Sequence, residues 1–256
     1  MMKLNFQVLG QGEPMLILHG LLGSLDNWKP YARAVADQFQ VFLLDLRNHG
    51  RSPHASECNY DVMAEDIAEF INDHHLSAAH VLGHSMGGKV ALRLAQLHPR
   101  QLLKLIVADM GRRENPPRQK EILEAMRALD LSRLQQRTEA EAALAAVAPD
   151  KALRQFLTKN IGRNDTEIMY WKCNLESLWT NYQHLLEAIP AEPQFTGPVL
   201  FIRGGRSDYI RDEDIPALRE TFPRAEIETI PEAGHWLHVD APAEFLRRTL
   251  KFLNED

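Results

Sequence analysis

The chain has 256 residues, enough for one large domain or a core domain carrying a sizeable insertion. Its composition, 45% apolar and 25% charged with 14 Gly and 14 Pro, is ordinary for a soluble globular protein. With 29 lysines and arginines against 35 aspartates and glutamates the net charge is −6, which gives no basis for a nucleic-acid or anionic-membrane partner.

No apolar run approaches the roughly 18–20 residues that cross a bilayer. The opening MMKLNFQVLGQGEP has no apolar leader core, and Cys58 and Cys173 lie far apart without metal-ligand spacing. These features predict a cytoplasmic protein with reduced thiols.

Short continuous apolar runs then alternate with amphipathic stretches. PMLILHG (14–20), VFLLD (41–45), AHVLGH (79–84) and LLKLIVAD (102–109) read as strands buried on both faces. DVMAEDIAEFINDHH (61–75) and GGKVALRLAQLHP (87–99) read as helices; in the second, Val90, Leu94 and Leu97 recur at helical spacing and Pro99 closes it. Such alternation predicts an α/β fold with a mostly parallel sheet and right-handed crossovers. The pattern breaks at 110. From MGRRENPPRQ to LLEAIPAEP only helical stretches stand out, at 119–129 and 150–159, with Tyr170, Trp171, Trp179 and Tyr182 near the end. Strands resume at PVLFIRG (198–204) and AEIETI (225–230), and a last helix covers 242–254. We expect a core at 1–110 and 191–256, with 111–190 as a helical cap inserted between two late strands.

Gly83-His84-Ser85-Met86-Gly87 is a G-x-S-x-G pentapeptide that follows an apolar run and opens a helix. A turn that sharp strains the serine backbone, and its glycines avoid clashes. It lifts the Ser85 hydroxyl above the sheet and sets the Met86 N–H at a helix N-terminus, where partial positive charge favours an oxyanion. The loop LHGLLGS (18–24) leaves the same sheet edge, and the Leu21 N–H is the candidate second donor. Among eleven histidines, His235 in IPEAGHWLHVDAP (230–242) sits in the loop after the final strand, with Gly234 freeing the backbone to project it. A serine followed by a histidine in that last loop suits nucleophile and base. His238 is the weaker choice, and no carboxylate or cysteine accompanies His235-x-x-His238, so no metal or other cofactor is expected.

With His19-Gly20, Gly83-His84-Ser85-Met86-Gly87-Gly88 and Ala233-Gly234-His235-Trp236 in this order, the chain resembles the α/β-hydrolase superfamily over nearly its whole length. DLRNHGRS (45–52), HGLLGSLDNW (19–28) and GHSMGGK (83–89) look like the YbfF-type bacterial esterases and their mitochondrial abhydrolase relatives; many superfamily members carry Pro-Gly where Arg47-Asn48 stands here. The resemblance implies a serine esterase that forms an acyl-enzyme, with a small-molecule partner: a short- to medium-chain acyl ester or an acyl-CoA thioester. Asp45 and Arg47 are read as holding their loop together. Carbon–carbon bond hydrolases and the menaquinone-pathway lyase look similar around HGLLGS and GHSMGG, and a non-catalytic ligand-binding relative is the third alternative. Dehalogenases and epoxide hydrolases carry an aspartate where Ser85 stands.

The acid that orients His235 has two candidates. In most of the superfamily it follows the strand that here is PVLFIRG, at a glycine, two residues, aspartate. Counting from Gly204 puts Ser207 in that slot and counting from Gly205 puts Asp208 there; the sequence allows both. The YbfF-type resemblance favours the first register, and a serine cannot steady an imidazolium. Asp109, ending LLKLIVAD, is then the first candidate, Asp208 the alternative, and Ser207 a helper. Trp171, Trp179 and Tyr182 either cover the pocket or form the cap's own small core, and His19, Gly20 and Trp236 are candidate substrate contacts.

Overall fold

A computed structural model describes residues 2–192 and 195–255. The first half builds β1 (Phe6–Leu9), β2 (Glu13–Leu18), α1 (Lys29–Val35), β3 (Phe39–Leu44), α2 (Tyr60–Asp73), β4 (Ala79–His84), α3 (Met86–Leu97) and β5 (Leu102–Ala108). After β5 come α4 (Lys120–Ala128), α5 (Arg137–Ala143), α6 (Lys151–Thr158), β6 (Ile161–Arg163), β7 (Met169–Trp171), α7 (Leu175–Thr180) and α8 (Tyr182–Leu186). The chain then closes with β8 (Val199–Gly204), α9 (Ile215–Thr221), β9 (Ala225–Ile230), α10 (Leu237–Asp240) and α11 (Pro242–Asn254).

Seven strands form one sheet in the order β1-β3-β2-β4-β5-β8-β9, with β1 antiparallel to β3 and every other pair parallel. The period of two along each strand explains the continuous apolar runs. Leu16, Leu18, Val81, Leu105 and Val107 pack against α2 and α3 through Met63, Ile67, Val90 and Leu94. Met15, Ile17, Leu82 and Ile106 point the other way, into Trp28, Tyr31 and Phe245 beside α1 and α11. Both faces are covered, so no strand of the sheet's centre needs a polar side.

The segment between β5 and β8 is not wholly helical. β6 and β7 pair as an antiparallel ribbon, and Ile161 and Met169 join Leu131 and Ala140 in a small cluster. Strands of three residues are too short to show alternation in a sequence. Leu123, Met126, Leu157 and Leu178 of this segment share one apolar cluster with the sheet.

The loop after β3 fastens these parts together. The Asp45 carboxylate accepts from the Leu25 N–H at 2.8 Å, the Arg51 N–H at 2.9 Å and Asn5 Nδ2 at 2.7 Å. Gly50, at φ +57°, passes so close that an added Cβ would lie 2.1 Å from the carboxyl carbon, which is why glycine stands there. Arg47 makes a buried two-pronged pair with Asp66, at 2.6 and 2.7 Å. Asn48 reaches into the segment after β5: its backbone carbonyl accepts from the Asn174 N–H at 2.8 Å, and its Nδ2 donates to Ser177 Oγ at 3.1 Å.

Candidate active site

The loops at the carboxyl ends of β2, β4, β5, β8 and β9 converge, the usual place for a site in such a sheet. β4 is buried throughout and stops at His84; Ser85 takes φ 54°, ψ −120°, and α3 begins at Met86. Two close approaches make this turn possible. A Cβ on Gly83 would lie 2.2 Å from the Gly87 carbonyl oxygen, and one on Gly87 would lie 2.4 Å from that of Leu18.

Ser85 Oγ lies 2.9 Å from His235 Nε2, and His235 Nδ1 lies 2.7 Å from Asp109 Oδ2. Asp109 follows β5 directly at φ 48° and is wholly buried. Its other oxygen accepts from the Gly204 N–H at 2.9 Å, and Ser207 Oγ donates to Oδ2, so the buried carboxylate has every donor it needs. Asp208 turns the other way. Its carboxylate binds Arg118 at 2.5 Å, at the surface, and the guanidinium holds its carboxyl below the usual carboxylate range. His235 therefore rests on Asp109, with Ser207 beneath it.

The His235 ring also packs against two aromatic neighbours. Tyr209 stacks on it at 4.1 Å and 20°, and His84 tilts against it at 4.8 Å. His84 Nε2 donates to the His235 backbone carbonyl at 2.9 Å. Tyr209 carried no signal in the sequence beyond its nearness to the Ser207 turn.

The loop after β2 is shaped by two buried histidines. His19 Nε2 accepts from the Leu46 N–H at 3.0 Å and His49 Nε2 from the Leu22 N–H at 3.1 Å. Both rings are thereby fixed as neutral tautomers with Nδ1–H donating to carbonyls, of Gly20 and of Arg47. The loop they shape places Leu21 and Ser85 on the wall of the same spaces. Among the described residues neither the Leu21 nor the Met86 N–H has a protein acceptor.

Burial pushes His49 and His238 down to about 3, and lowers His19 and His84 as well. The folded state thus holds these imidazoles neutral, while the unfolded chain protonates them near 6.5. For His49 and His238 the stability so gained is intact above about pH 6.5 and is lost as pH falls towards 3; His19 and His84 act in the same sense. For His49 and His238 together the loss between pH 7 and 5 is expected to reach about 4 kcal/mol. Urea midpoints measured across this range check it; a midpoint flat from pH 7 to 5 contradicts it.

A cavity of about 430 Å³ opens on Ser85, bounded on the sheet side by His19, Gly20, Trp28, His235, Trp236 and His238 and on the other by Ile122, Leu153 and Phe156. A second space, of about 30 Å³, reaches Ser85 from beside Leu21 and Met86 and includes Tyr182. Trp171 and Trp179 line neither. Trp171 packs on the Leu131–Ile161–Met169 cluster, and Trp179 lies under the Arg127 guanidinium at 4.9 Å, so both serve the segment's own packing. His238 stacks on Trp28 at 4.1 Å and forms wall, away from the Ser85 hydrogen bond. The sequence did contain a signal for the opposite wall: Leu153 and Phe156 recur at i, i+3 on α6. Among the described residues no three His, Cys, Asp or Glu side chains group as metal ligands, and no helix is long and apolar enough to cross a membrane.

Comparison with known proteins agrees with this fold. Residues 13–242 match the family model for the alpha/beta hydrolase fold. The chain is 34% identical to esterase YbfF of Escherichia coli, over 99% of this chain and 100% of that protein. It is 32% identical to the sn-1-specific diacylglycerol lipase ABHD11 of Danio rerio, over 97% of this chain and 80% of that one. Among solved structures, a marine microorganism esterase superposes with a TM-score of 0.95 at 42% identity, covering 98% of this chain and 100% of the other. With the sheet order, the serine turn after β4 and a family match across most of its length, the chain belongs to the α/β-hydrolase superfamily.

Proposed function

We propose that the protein is a serine esterase that cleaves carboxylic esters, with thioesters as a second substrate class, through an acyl-enzyme. The observation that carries this reading is the unbroken line Ser85–His235–Asp109 on the floor of a cavity, at 2.9 and 2.7 Å. Ser85 Oγ gives its proton to His235 Nε2 and attacks the acyl carbon. The oxyanion that forms is held by the Leu21 and Met86 amides. Collapse breaks the bond to the leaving oxygen, which takes the proton from Nε2; water then repeats the sequence and frees the acid. Asp109 orients His235 and stabilises its imidazolium, and Ser207 and the Gly204 amide hold Asp109 in place. Residues 111–190 act as a cap, a role supported by Ile122, Leu153 and Phe156 along the cavity wall. The names of YbfF and the marine enzyme support ester chemistry over carbon–carbon bond cleavage.

A fluorophosphonate probe should form one adduct, on Ser85, in the folded protein and none after heat denaturation. Peptide mapping by mass spectrometry checks this, and an unlabelled Ser85 in folded protein would favour a non-catalytic relative.

A further inference from the structure

Ser85 is approached from two sides. The cavity of about 430 Å³ touches His235, Trp236 and His238, whereas the space of about 30 Å³, bounded by Leu21, Met86, Met110, Asn115 and Leu186, touches none of these three. A leaving oxygen must face His235 Nε2, which protonates it, so the alcohol part of an ester belongs in the larger space. The acyl part lies across the carbonyl and belongs in the smaller. A space of that volume holds about two or three atoms the size of water. A longer alkyl chain runs into the side chains of Leu185 and Leu186.

Hydrocarbon is not the whole of this smaller wall. Asn115 is 8% exposed, and its Oδ1 is buried without a hydrogen-bond partner among the described residues. The other end of the amide, Nδ2, faces the Met110 sulfur at 3.4 Å, and the backbone N–H donates to the Leu186 carbonyl at 2.9 Å. Two neighbouring hydroxyls already donate elsewhere. Tyr60 donates to the Leu185 carbonyl at 2.6 Å and Tyr182 to Gln119 Oε1 at 3.3 Å, while Tyr209 accepts from Gln119 Nε2 at 3.2 Å. A buried carbonyl left unpaired is costly, and χ2 of an asparagine is a soft torsion. Asn115 lines this space, so a small turn about χ2 would bring Oδ1 onto a donor that enters it. Among the described residues no charged side chain lines this space, so a neutral donor fits it and an ammonium does not.

We infer that the space beside Asn115 is the acyl subsite and that it selects a short acyl group bearing a hydroxyl, whose O–H donates to Asn115 Oδ1. The inference rests on ester hydrolysis at Ser85 and narrows it. The substrate class is an ester of a small hydroxy acid with a bulkier, largely apolar alcohol.

The test uses p-nitrophenyl esters, which share one leaving group: acetate, propionate, butyrate, hexanoate, glycolate and 3-hydroxypropionate. Glycolate is isosteric with propionate, and 3-hydroxypropionate with butyrate. In the unaltered protein kcat/KM for hexanoate is expected at least about tenfold below that for propionate. For at least one isosteric pair, the hydroxyl-to-alkyl ratio of kcat/KM is expected to fall about tenfold or more in Asn115→Leu. Comparing ratios cancels the hydroxyl's own activation of the ester and any general loss of rate in the variant. Ratios unchanged by the substitution, or hexanoate cleaved as fast as propionate, overturn the inference and leave ester hydrolysis standing. Turnover of none of the esters overturns both. The chain-length series needs no variant, so it decides on its own if Asn115→Leu does not fold.

Discussion

Replacing Ser85 with alanine is expected to lower kcat for a p-nitrophenyl ester by about 10⁴-fold or more while the protein stays folded. In the proposed mechanism the hydroxyl supplies the atom that bonds to the acyl carbon, and among the described residues no other side chain is hydrogen-bonded to His235 Nε2. A residual rate over water is expected, because the Leu21 and Met86 amides and the cavity survive the change. The alanine keeps a Cβ at φ 54°, ψ −120°, so the backbone turn is loaded as before and the unfolding midpoint should barely move. Burst kinetics and urea unfolding on the same preparation separate the two effects. A variant that keeps more than about a hundredth of the rate rules out Ser85 as nucleophile.

Asp109→Asn is expected to cost about 10³–10⁴-fold in kcat, and Asp208→Asn no more than about threefold. Asparagine at 109 can still accept from Gly204 through its carbonyl, but its NH₂ then points at His235 Nδ1. That arrangement favours the wrong imidazole tautomer and removes the negative charge that steadies the imidazolium. Asp208 loses only a surface pair with Arg118. Parallel pH–rate profiles provide the check: the Asp109 variant should recover part of its rate at high pH, and the Asp208 variant should trace the unaltered curve. Equal or reversed losses would move the acid's role to Asp208.

The sequence told most where chemistry and backbone demand coincide. Ser85 stands in a turn that only glycine neighbours permit, and His235 follows a strand through Gly234, so both could be read from spacing. Asp109 was readable as a strand end, but the register of 204–208 was not. Ser207 and Asp208 differ by one residue, and only the position of Asp109 Oδ2 decides which side chain turns inwards. β1 escaped notice because its four residues are mostly exposed and pair only at the sheet's edge. Trp171 and Trp179 drew attention through their size, yet an aromatic cluster in a sequence does not say which of its faces meets a cavity. The lining of α6 was written in Leu153 and Phe156, less conspicuous residues at helical spacing. Asn115 gave no signal, since its meaning lies in a missing partner.

Ser85 and Asp109 share an unusual backbone: each is a non-glycine residue at positive φ, directly after one of two neighbouring strands of one sheet. Glycine at Ser85 would relax about 1–3 kcal/mol of torsional strain, whereas glycine at Asp109 would also leave the Gly204 N–H and the Ser207 hydroxyl without their acceptor. A scheme that ranks substitutions by melting temperature alone would therefore steer Ser85 towards glycine, and the expected product is a folded protein without its hydroxyl. Thermostable variants of this chain are best sought with these two positions frozen, in places such as the exposed edge of β1 where backbone comfort and chemistry do not compete.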